Sequence, residues 1–148
     1  MRIQAKPVQK TFTIPSSVYG DASVTIRQAR TGDSIMRAEL VAQTSYVVND
    51  GFGEQEIRQR FNWEEMKRYD VFLTLVDCDI VMEDDKGEPV GSWFTFVNGK
   101  LQDRVAFDRA YNALPIEISE AIHEKVLEVN PQWDRRNEED EEGELFAT

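Results

Sequence analysis

Few side chains in this sequence have the type and spacing that chemistry requires. His123 is the only histidine and Cys78 the only cysteine. A zinc site draws three or four ligands from Cys, His and carboxylate side chains. A catalytic histidine needs a nucleophile on one side and an orienting carboxylate on the other. Glu120 and Glu124 flank His123 in sequence, but every surface helix offers such neighbours, so His123 is expected at the surface. Cys78 lies in an apolar stretch and is expected to be a buried, inert thiol. The acid-rich run DCDIVMEDDKGE lacks the alternating oxygen ligands and closing glutamate of a calcium loop, and is expected to be a solvated turn. The glycines form no phosphate-binding pattern. Glu64, Glu65, Asp84, Asp85, Glu117 and Glu120 sit where helix N-termini and turns favour carboxylates without any catalytic role. No catalytic residue, cofactor or metal is expected.

The aromatic residues are better candidates, for binding rather than catalysis. Trp93 and Phe94 are adjacent in SWFTFV, and strand alternation cannot bury both. One of them is then exposed to a partner, or the pair packs under a loop. Trp93, Phe94, Phe96 and Trp133 are the candidate partner-binding residues.

The elements that would position these residues follow from periodicity. Phe12 and Ile14 alternate with threonines, Val24 and Ile26 alternate with polar residues, and a Pro-Ser-Ser…Gly-Asp cluster separates the two runs. This predicts a β-hairpin of Thr11–Ile14 and Ser23–Arg27. Asp33 or Thr31 is expected to cap a helix whose stripe runs through Met36, Leu40, Val47 and Val48 and stops at Gly51. Asn62 and Glu65 form a capping box. They lead into the stripe Met66, Tyr69, Leu73, Val76 and Ile80, which predicts helix through about Asp77, followed by a short hairpin turning at DDKG. Asp103 is expected to cap a third helix, and Pro115 to open a fourth that Pro131 ends.

The chain has 148 residues and a net charge of −11. That length suits one domain. The balance argues against nucleic acid and anionic membranes as partners, since both need clustered cations. No stretch is apolar enough to cross a membrane, nothing resembles a signal peptide, and a reducing cytoplasm is expected. The expected architecture is α+β: a mainly helical domain over residues 11–133 with a small N-terminal β-hairpin. An acidic flexible tail is expected over residues 134–148, and its removal is expected to leave the fold intact.

The order of these features resembles the tail assembly chaperones of long-tailed bacteriophages. The resemblance is carried by Val24-Thr25-Ile26-Arg27 before a Thr-Gly helix start, by the acidic turn from Asp84 to Gly87, and by the helix from Leu114 to Asn130. It covers most of residues 12–130 through short motifs. The segment VGSWFTFVNGKLQD has no place in the family pattern. The resemblance implies a non-enzymatic protein of the host cytoplasm. Such a protein binds the tape measure protein, keeps it soluble and helps recruit tail-tube subunits. It also implies a longer frameshift product and raises the prospect of a homo-oligomer. Two other classes stay open: a tail or head–tail joining subunit retained in the virion, and a small enzyme or regulator.

Overall fold

The alternating runs near the N-terminus pair as expected. In the computed structural model, which describes residues 1–43, 45–49, 55–59, 62–98, 100–101 and 103–136, β1 (Gln9–Ile14) and β2 (Ala22–Arg27) form an antiparallel hairpin. Thr11 stands opposite Thr25 and their hydroxyls are hydrogen-bonded at 2.8 Å, a cross-strand pair of the kind that stabilises a sheet. The inward residues Ile14, Val24 and Ile26 are fully buried.

The first helix, α1 (Thr31–Gln43), starts where expected but is capped differently. Asp33 lies inside its first turn and accepts from the Arg30 N–H at 2.8 Å. That is the back-reaching arm of a capping box, so neither Thr31 nor Asp33 stands at the cap position. The helix also ends early. Val47 and Val48 belong to β3 (Ser45–Asn49), which pairs antiparallel with β4 (Gln55–Gln59). A Tyr-Val-Val run has strong strand propensity, and here that propensity prevails over the helical spacing. Gly51, the expected stop, lies outside the described residues.

The second helix, α2 (Trp63–Thr74), has the expected cap, with the Asn62 side chain accepting from the N–H groups of Glu64 and Glu65. Met66, Tyr69 and Leu73 are buried along its stripe. The helix stops at Thr74 rather than Asp77. The Thr74 hydroxyl donates to the Asp70 carbonyl at 2.7 Å, and the chain leaves in extended form as β5 (Leu75–Cys78). There Val24 pairs with Cys78 and Ile26 with Leu75, so β2 is the centre of a sheet ordered β1–β2–β5. The hairpin expected next is present as β6 (Val81–Glu83) and β7 (Pro89–Ser92). Its turn explains the acidic motif. The Asp84 carboxylate accepts from the N–H groups of Lys86 and Glu88, both at 2.9 Å. Gly87 takes φ +77°, a conformation that penalises any side chain.

A two-residue pair, β8 (Phe96–Val97) with β9 (Lys100–Leu101), leads into α3 (Arg104–Asn112), capped by Asp103 as expected. The last long helix, α4 (Ile116–Val129), has Pro115 at its N-cap, and a 3-10 turn (Pro131–Trp133) follows. The helix α4 packs on α2 and on β1 and β2, closing one core. Its Ile122 and Val126 are fully buried, and each such side chain contributes about 1.5–3 kcal/mol. The fold is mixed α+β, as expected. With nine strands among the described residues, it carries more sheet than a mainly helical domain. Among the described residues no helix is long and apolar enough to cross a membrane. The acidic run from Glu138 to Glu144 lies outside the described residues.

Candidate functional site

The stripe on α2 brings one charge into the interior with it. Asp70 is four residues after Met66, on the buried face, and is almost fully enclosed. A carboxylate there needs partners, because an unpaired buried charge is very costly. Arg37 of α1 supplies one, its Nε donating to Asp70 Oδ1 at 2.7 Å. His123 of α4 supplies the other, with Nε2 at 3.2 Å from Asp70 Oδ2. His123 is therefore buried, against the expectation of a surface histidine. It is three residues from Val126, on the inward side of the helix. Arg37 also reaches the Trp133 carbonyl at 3.4 Å, and its guanidinium lies 5.2 Å from the Trp133 ring centre. One carboxylate thus ties α1, α2, α4 and the 3-10 turn together.

This cluster forms part of the wall of a cleft of about 540 Å3. Trp63 stands at the cleft with the Arg135 guanidinium 4.2 Å from its ring centre. Arg136 closes a rim, bonded to Asp134 and to Glu124. Those bonds hold the Asp134 carboxyl below its ordinary range and raise the guanidinium. The first residues of the expected tail, Asp134 to Arg136, thus engage the domain. A histidine–carboxylate pair resembles half of a catalytic apparatus, but among the described residues no serine, threonine or cysteine lines this cleft. Among the described residues no three His, Cys, Asp or Glu side chains gather to hold a metal ion.

A second polar junction lies at the far end of α4. Asn130 is fully buried. Its Oδ1 accepts from the Ala29 N–H at 2.7 Å, and its Nδ2 donates to the carbonyls of Arg27 and Val126, each at 3.3 Å. The Arg27 guanidinium grips Asp33 through two bonds, of 2.7 and 2.8 Å, and reaches the Leu73 carbonyl. Burial alone would raise the Asp33 carboxyl. The bonds from Arg27 and the Arg30 N–H, with the charge of Arg27, outweigh it and hold the group below its ordinary value. Cys78 is buried as expected, and burial pushes its thiol up to about 11.

The four candidate partner-binding aromatics are dispersed. Phe94 is buried, packed 5.4 Å from Phe107 centre to centre. Phe107 in turn lies 5.4 Å from Phe72 and 5.7 Å from Tyr111. Trp133 is buried against Arg37. Phe96 and Trp93 are half-buried, and the Trp93 indole N–H donates to the Ala110 carbonyl at 2.7 Å. The adjacent pair is thus divided between a core ring and a partly open one. Asp70 and Arg37 were not singled out from the sequence. The available signal was an acid at the i+4 position of an apolar helix stripe. No protein-family model, curated protein or solved structure matches the chain.

Proposed function

We propose that this chain is a phage tail assembly chaperone. On this reading it is a binding protein rather than an enzyme. It acts in the host cytoplasm, binds and solubilises the tape measure protein, and helps recruit tail-tube subunits, without a cofactor. The reading starts from the sequence resemblance. The observation that carries it is the junction between Arg27 and Asn130. These residues come from separate stretches of the resemblance, 103 positions apart, and are hydrogen-bonded partners. The acidic turn from Asp84 to Gly87 is closed by its own aspartate. Two of the motifs thus meet at one junction and the third closes its own turn, an arrangement that supports the reading. The net charge of −11 suits a protein that keeps an aggregation-prone client in solution by mutual repulsion.

The test is co-expression of the full chain with the tape measure protein encoded alongside it. The client is expected to move from the pellet to the soluble fraction and to co-purify with the chain, which is then absent from finished particles. A client that stays insoluble would overturn the proposal. Stoichiometric recovery of the chain in virions would do so in favour of a retained tail or head–tail joining subunit.

A further inference from the structure

A groove of about 570 Å3 lies between the β1–β2 turn, the first strand of the β6–β7 hairpin and the α3–α4 corner. Its apolar wall includes Val18, Tyr19 and Val81, which are 72%, 61% and 49% exposed. Trp93 lines it as well, and its bond to the Ala110 carbonyl fixes the ring in place. Pro115 and Ile118 close the far side. The neighbouring hairpin adds to this surface. All residues of β6 and β7 are exposed, Met82 and Val90 among them. A two-stranded hairpin with both faces in water is marginal on its own, and a cover over its apolar side chains would stabilise it.

The charge around the groove indicates the kind of cover. Among the described residues three carboxylates line it, Asp21, Asp79 and Glu83, with no lysine, arginine or histidine. Asp79 is held there by the Ser23 N–H at 2.7 Å. Apolar surface edged by one sign of charge selects a partner with an apolar centre and flanks of the opposite sign. The walls come from the β1–β2 turn, β6 and the α3–α4 corner, and Val81 and Glu83, two apart on one strand, both line the groove, so recognition runs through side chains, as when a helix lies in a groove. A second copy of this acidic chain would set carboxylates against carboxylates.

We infer that this groove docks a basic amphipathic helix of another protein, with apolar anchors at i, i+3, i+4 and i+7 seated against Tyr19, Val81 and Trp93, and lysines or arginines facing Asp21 and Glu83. The inference stands on the groove's chemistry and does not depend on the chaperone reading.

The experiment titrates the isotope-labelled full chain with two designed helical peptides. They share leucines at the anchor positions, and one carries lysines on its flanks where the other carries glutamates. The lysine peptide is expected to bind at least about tenfold more tightly at low salt, with the gap closing as salt rises. Resonance shifts should centre on Tyr19, Val81 and the Trp93 indole. The double variant Asp21→Lys/Glu83→Lys changes only exposed side chains, and should reverse the preference while leaving the melting temperature unchanged. Equal affinity for the two peptides would overturn the assignment, as would shifts centred on Trp63 and Trp133. Self-association that Val81→Ser abolishes would also overturn it, by making the occupant a second copy.

Discussion

The two sides of α4 handle polarity in opposite ways. On the side of Asp70 and Asn130, charged and polar groups are buried, and among the described residues no buried side-chain nitrogen or oxygen lacks a partner. Around Pro115 and Ile118, valine, tyrosine and tryptophan side chains stand open beside carboxylates. The difference separates two tasks. A buried polar network leaves each helix few alternative seats, because any shift would strand a charge or an amide. An open apolar surface beside acids does nothing for the isolated domain and leaves binding energy for another molecule.

The contrast can be broken by substitution, and the core should respond most. Leu73 is 7% exposed on the inward stripe of α2. Leu73→Asp buries an unpaired carboxylate at a cost of several kcal/mol, comparable to the whole stability of a domain. The variant should show no cooperative melt by circular dichroism, and a melt near that of the parent chain would mean the stripe faces solvent.

Asn130→Ala tests the polar junction next. It strands the Ala29 N–H and removes donors from two carbonyls. The expected loss is about 2–3 kcal/mol, read from urea denaturation. A loss within ~0.5 kcal/mol would place Asn130 in the same class as an ordinary surface position.

Acid should loosen the same junction through Asp33. Its carboxyl is held below the ordinary value of 3.8 in the folded chain, so the unfolded chain takes up that proton at the higher pH. The stabilisation is fully present above pH 3.8 and is lost as the pH falls below it, through the folded value. Comparison with Asp33→Asn isolates this group from the other carboxylates. The gap in melting temperature should narrow on acidification below that point. A gap independent of pH would sink the idea.

The smallest effect is expected on the hairpin. Val81→Ser and Val90→Ser alter only exposed side chains and should shift stability by less than about 0.5 kcal/mol. A larger loss would show that these side chains support the domain itself, and the contrast between the two sides would disappear.

Much of this layout is legible locally. Asn62 and Asp103 cap their helices because a short acceptor followed by free N–H groups needs no tertiary help. The β1–β2 hairpin follows from alternation, and the DDKG turn from an aspartate and a glycine in the right order. What fails is decided at a distance. The spacing of Met66, Tyr69, Leu73 and Val76 suits continued helix, but the open edge of β2, some fifty residues earlier, captures Leu75–Cys78 as a strand. His123 is polar and looks like a surface residue until Asp70, 53 positions away, is seen to hold it inside. For the aromatics, adjacency in SWFTFV shows that one ring must differ from the other but not which one; Phe94 is the buried ring and Trp93 the half-buried one.

Asn130 also sets a clock for the birth of the molecule. Its bond to the Ala29 N–H joins residues 101 positions apart, and the strands that α4 covers are made well before α4 itself. At a ribosomal pace of roughly 5–20 residues per second, the nascent hairpin of β1 and β2 waits several seconds for the helix that will seal it. During that wait Ile14, Val24 and Ile26, buried in the finished protein, lack their lid. A long-range closure of this kind slows folding. Conditions that stall synthesis before α4 emerges should therefore yield a nascent chain that needs protection itself.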